Sequence, residues 1–101
     1  MSSARFAALV ATQPENEMFR FSLAQALLRE NQAAEAVAHL EFCVRKKADW
    51  MMARILLGKT LLALGRPAEA KPWLEQGLQL AIAQNHEDPE RELRGILAEL
   101  A

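Results

Sequence analysis

Cysteine is all but missing from this 101-residue chain: Cys43 is the single thiol, so no internal disulfide can form and packing alone must hold the structure. Glycine and proline are also scarce, four of each, against 51% hydrophobic and 25% charged residues, which excludes a disordered or low-complexity segment and suits an ordered helical protein. Charge of one sign is not in excess either. Twelve Lys and Arg face thirteen Asp and Glu, for a net charge of −1, and the pI is near 6.1. No broad basic field is available for nucleic-acid phosphates or an anionic membrane surface, so neither is an expected partner. No apolar run approaches the about 18 residues of a membrane span, and the opening residues lack the apolar core of a signal peptide. The expectation is a single cytoplasmic domain.

Catalytic signals are missing as well. No phosphate loop, dinucleotide fingerprint or serine-nucleophile motif occurs. His39 lies four residues after Glu35 and shares a helix face with it, but one such pair supplies neither the ligands of a zinc site nor a nucleophile. His86-Glu87-Asp88 lacks calcium-loop spacing, and Arg45-Lys46-Lys47 at a helix end reads as compensation of the helix dipole. The chain is therefore expected to be no enzyme and to need no cofactor or metal.

What is present is a repeat. Residues 17–50 overlay residues 51–84 without a gap, at an offset of 34. Met18, Arg20, Leu23, Leu27 and Leu28 recur as Met52, Arg54, Leu57, Leu61 and Leu62; Ala34, Glu35, Ala36, Leu40 and Glu41 recur as Ala68, Glu69, Ala70, Leu74 and Glu75. Each unit reads as two helices. In the first, apolar residues from Met18 to Leu28 cover most of a helical circumference, Asn31 interrupts, and Ala36, Val37, Leu40, Cys43 and Val44 then follow three- and four-residue steps. In the second, Gly65 can close a helix in the left-handed conformation and Pro67 opens the next. Pro72, one turn inside that helix, is expected to loosen or kink its start. Cys43 corresponds to Gly77 and reads as a small buried filler.

Two pieces flank the units. Residues 1–16 carry Phe6, Leu9 and Val10 on a lone helix ended by Gln13-Pro14. In residues 85–101, Asp88 is a candidate N-cap with Pro89 at the first helical position, and Leu93, Ile96, Leu97 and Leu100 form one apolar stripe opposite a charged face. Such a one-sided helix suits the end of a stack, as a cap.

The period, the paired helices and the pattern Leu57-Gly58, Leu61, Gly65, Ala70, Leu74, Gly77, matched in the first unit by Leu23-Ala24, Leu27, Asn31, Ala36, Leu40 and Cys43, resemble the tetratricopeptide repeat. The resemblance implies an all-α fold of antiparallel helix pairs in a right-handed solenoid, with about two full repeats and a flanking helix at either side. Phe6 and Leu9 would then belong to the second helix of a truncated leading repeat. Small Ala24 and Gly58 allow close helix approach, as do Ala36 and Ala70. Arg20 and Arg54 depart from the family, standing where it commonly has a bulky aromatic.

The resemblance further implies an adaptor that binds a peptide or an amphipathic helix of a partner protein on the concave face built by the first helix of each pair. Carried over position by position, that groove would be lined by Met18, Phe21, Gln25, Leu28 and Arg29, and by Met52, Ile55, Lys59 and Leu62. The set is mostly apolar, which disfavours a clamp for a C-terminal carboxylate and suits an adaptable apolar partner. Two other fates for these residues stay open: packing against the chain's own leading helix, or a homodimer in which the groove is filled by a second copy.

Overall fold

A computed structural model describes residues 2–101. The helices are α1 (Ser3–Thr12), α2 (Glu17–Arg29), α3 (Ala33–Lys46), α4 (Met51–Ala63), α5 (Pro67–Ala83) and α6 (Glu87–Leu100), with no strand among the described residues. Each helix packs chiefly on its neighbours in sequence, α1 on α2, α2 on α3, and so on to α6. Connections of a few residues force consecutive helices to run back along each other. The outcome is an all-helical stack measuring 40 × 27 × 20 Å.

Three of the turns are built the same way. Asn31, Gly65 and Asn85 all take positive φ, at 60°, 72° and 59°. In each case the next residue donates its N–H back five positions: Gln32 to the Leu27 carbonyl, Arg66 to Leu61, His86 to Ala81. These bonds satisfy carbonyls that the helix end would otherwise leave unpaired. Asparagine tolerates this conformation and glycine adopts it freely, which is why Asn31 and Gly65 are interchangeable across the repeat. Gly65→Ala should therefore cost about 1–2 kcal/mol, read as a lower urea midpoint. A Cβ there meets nothing within 4 Å, so the loss would be backbone strain alone.

The sequence expectation for the start of α6 needs correction. His86, not Asp88, is the residue before the helix, and Asp88 and Pro89 both lie in its first turn. The Asn85 turn sends the chain straight into helix, so Asp88 is spent on an ion pair with Arg91, Oδ1 to Nη2 at 3.2 Å. Pro89 is harmless there because first-turn N–H groups have no helical acceptor. Pro72 does not interrupt α5, which continues through it. Both Pro72 and Ala68 are exposed, so the carbonyl deprived of its donor meets water.

The core runs through the stack as one cluster, including Leu23, Ala24, Leu27, Ala36, Leu40, Cys43, Leu57, Leu61, Ala70, Leu74 and Leu93. Within the second pair the helices approach closely at Gly58, where a Cβ would lie 2.5 Å from Leu74 Cδ2 and 2.6 Å from its Cγ. On the outside, α1 leans on the core through Phe6 and Val10. Its first turn is held by Glu30 at the end of α2, whose carboxylate accepts from the Ser3 backbone N–H at 2.7 Å and from the Ser3 hydroxyl at 2.6 Å. Those two bonds hold the Glu30 carboxyl below its ordinary range.

Candidate functional site

The nine residues carried onto the groove fall into different environments. Met18 and Met52, at equivalent places in the first turns of α2 and α4, are 53% and 49% exposed, the most exposed large hydrophobics among the described residues. Gln25 and Arg29 are also exposed. Leu28 and Leu62 are half-buried and rest on the core. Phe21 is half-buried because its ring lies against Trp50, centroids 4.7 Å apart and planes tilted by 36°. That pair joins α2 to the start of α4 and fixes Trp50 at the junction between units.

Two residues of the second unit behave differently from their first-unit partners. Ile55 is only 3% exposed. A Cβ on Gly77 would lie 2.8 Å from Ile55 Cγ1 and 3.6 Å from Leu93 Cδ1, so the bare glycine lets Ile55 and Leu93 converge on α5. Ile55 is thus a core residue, although its counterpart Phe21 is half-open. Lys59 reaches α6, its Nζ 2.7 Å from Glu92 Oε1. Neither placement can be read from the 34-residue period, since both depend on where α6 docks. Ile82, 40% exposed near the end of α5, is an apolar surface residue that the period also misses, because its counterpart is Ala48.

The arginines that depart from the family pattern form a device used twice. Arg20 donates through Nε to the Pro14 carbonyl at 2.9 Å, and Arg54 donates through Nε to the Ala48 carbonyl at 2.6 Å. Each hooks the backbone six residues upstream, in the turn that delivers the chain to its helix. Each then spans to the following helix: the Arg20 guanidinium stacks over Phe42 at 4.3 Å and approaches His39, and Arg54 sits over Trp73 at 5.5 Å and bonds Gln76. Trp73 is accordingly half-buried. A planar cation that both stacks and donates can do the filling of a large aromatic ring and also tie down the turn.

Nothing in the site resembles reaction machinery. Among the described residues no group of three or more His, Cys, Asp and Glu side chains is placed to hold a metal ion. Cys43 is fully buried, with Sγ 3.5 Å from the Glu17 carbonyl, and burial pushes its thiol up to about 11, so the reactive thiolate is suppressed at neutral pH. One surface depression lies beside Arg54, another near the α2–α3 turn and another along α6; of the nine groove residues only Leu28 lines any of these three.

A stack of helix pairs in a 34-residue period, with exposed apolar residues repeated on its first helices, defines a repeat scaffold that presents a surface. Comparison with known proteins gives the family. A model of the tetratricopeptide repeat matches residues 18–41 and 51–76. A TPR repeat-containing protein of Pseudomonas aeruginosa is 32% identical over 92 residues, covering 91% of this chain and 88% of the relative. The chain belongs to the tetratricopeptide repeat family. Its fold is similar to that of a tetratricopeptide repeat domain protein from Salinibacter ruber: the crystal structure has a TM-score of 0.74 at 26% identity, covering 84% of this chain and 94% of that one. The solution NMR structure of such a domain from the same organism also has a TM-score of 0.74, at 28% identity, with 86% and 88% covered. Proteins of this family are generally non-catalytic interaction modules that bind other proteins, and the fold points to that class of activity here. No helix of the described residues is long and apolar enough to cross a membrane.

Proposed function

We propose that this protein binds a peptide or an amphipathic helix of a partner protein on the face formed by α2 and α4. The observation that carries this reading is the paired exposure of Met18 and Met52, at 53% and 49%, one repeat apart at equivalent positions of α2 and α4. Leaving about half of each of two large apolar side chains in water forgoes roughly half of the ~1.5–3 kcal/mol of a full burial, and a covering partner recovers it. Methionine is flexible and polarisable, so a pair of them can accommodate an apolar ridge without a fixed shape. Phe21, Leu28 and Leu62 continue the surface as half-buried neighbours, and Gln25 and Arg29 supply its polar edge. Ile55 and Lys59 contribute from below, Ile55 as support and Lys59 through its pairing with Glu92.

The test uses a fluorescent amphipathic peptide with leucines at i, i+3 and i+7, the spacing that fits a helix-binding groove. Replacing Met18 and Met52 together with Glu should weaken its binding at least about tenfold, while helicity and the urea midpoint stay near those of the parent because both positions are exposed. Equal binding by parent and double variant overturns the reading. Light scattering of the parent separates the alternative: a stable dimer, reduced to 11.3 kDa monomers by the same two substitutions, would mean that a second copy fills the face.

A further inference from the structure

We propose that His39 is a proton-operated latch on the turn between α1 and α2: neutral, its ring holds Arg20 against that turn, and protonated, it turns to Glu35 and lets Arg20 go. The geometry sets the neutral state. Arg20 Nη1 lies 3.4 Å from His39 Nδ1. Arginine can only donate, so this contact is a hydrogen bond in the neutral tautomer whose Nδ1 is unprotonated, and is lost as one when Nδ1 carries a proton. The same guanidinium donates to the Pro14 carbonyl and stacks on Phe42. His39 therefore completes a chain of contacts that begins on α3, passes through α2 and ends on the backbone leading out of α1.

Adding a proton to His39 sets a donor against a donor and a cation against a cation, in a half-buried place where water screens them poorly. The charged groups acting on the ring are Arg20, from α2, and Glu35, one turn earlier on its own helix; α4, the other helix against α3, brings no charge that acts on it among the described residues. Burial first, and then Arg20, hold the ring's pKa below its ordinary value of 6.5, against the pull of Glu35. A depressed histidine contributes stability that is present above the unfolded value and is lost as pH falls through the folded one. Below that point Glu35 is the remaining partner for the imidazolium, at the spacing of one helical turn. Arg20, released, leaves the Pro14 carbonyl unpaired. α1 is then held by Phe6, Val10 and the Glu30 cap alone.

The second unit is a built-in reference. Arg54 hooks Ala48 as Arg20 hooks Pro14, but Trp73 stands in the place of His39 and cannot titrate. Both latches can be read in one molecule by NMR, from the solvent-exchange rates of the Arg20 and Arg54 Nε–H groups. In the full chain the ratio of Arg20 to Arg54 exchange should rise several-fold between about pH 7.5 and pH 5, across the range in which histidine titrates. In His39→Gln, whose amide oxygen can still accept from Arg20, the ratio should stay level. A ratio that stays level in the parent protein, or that rises as much in His39→Gln, overturns the latch. The parent measurement alone decides the matter if the variant folds poorly.

Discussion

Leu93→Ala should lower the free energy of unfolding by about 2–5 kcal/mol, a large part of the ~5–15 kcal/mol that holds a domain of this size together. Leu93 is fully buried and is the one core residue that α6 contributes. Its neighbours on the same stripe, Ile96, Leu97 and Leu100, are half-buried and cannot close over the cavity without pulling the helix inward. Leu93 Cδ1 lies 3.6 Å from where a Cβ on Gly77 would sit, and Ile55 reaches the same spot, so truncation opens a void where α4, α5 and α6 meet. α6 packs on α5 and closes the core cluster there through Leu93. Urea unfolding of Leu93→Ala followed by circular dichroism should show a lower midpoint and an early loss of the α6 helical signal, since stability in a repeat stack is a sum of nearest-neighbour interfaces. A loss under about 1 kcal/mol, in the range of an ordinary substitution, would mean that the stack does not depend on α6.

Gly58→Val should be nearly as damaging, by about 1–3 kcal/mol, for the opposite reason. A Cβ at this position already overlaps Leu74 Cγ and Cδ2 and comes within 3.4 Å of the Ala70 carbonyl oxygen. Leu74 is fully buried in a close-packed interior, so either its side chain or the α4–α5 spacing must shift to admit the new atoms. Gly58→Ala is the instructive comparison: it brings the same first carbon but gains about 1 kcal/mol of helix propensity, and should land between the parent and the valine variant. The equivalent position in the first pair is Ala24, which is fully buried and does carry a Cβ. Thermal melts of the three proteins would rank them, and a valine variant as stable as the parent would show that Leu74 has room to move.

Most of the fold was legible because it is local. Periodicity marks the helices, and the need for a left-handed residue at Asn31 and Gly65 marks the turns; both depend on neighbours a few positions away. The start of α6 was misplaced by preferring Asp88 as a cap, when the Asn85 turn had already delivered the chain into helix. α5 runs unbroken through Pro72, and what the lost hydrogen bond costs there depends on the exposure of its i−4 carbonyl, which is set by the way the helix faces. The candidate site was less legible. Position in the period is enough to propose Met18 and Met52, but the period treats Phe21 and Ile55 alike, and they are not. Phe21 lies against Trp50, whereas Ile55 is drawn between α5 and Leu93. The arginine device was invisible for a similar reason: sequence shows Arg20 and Arg54 only as departures from an aromatic pattern, and their carbonyl acceptors lie in turns whose backbone direction it does not fix.

By itself, then, the sequence determined that this protein is an all-helical repeat of two 34-residue units with small residues at the helix contacts, because burial patterns and turn chemistry are written residue by residue. Tertiary structure alone decided which apolar residues of the first helices stay open, how Gly77 admits Ile55 and Leu93 to one contact, and that His39 faces Arg20 while its repeat partner Trp73 faces Arg54. Those outcomes depend on the docking of whole helices against one another. A one-dimensional period carries no information about which of two equivalent faces a neighbouring helix will cover.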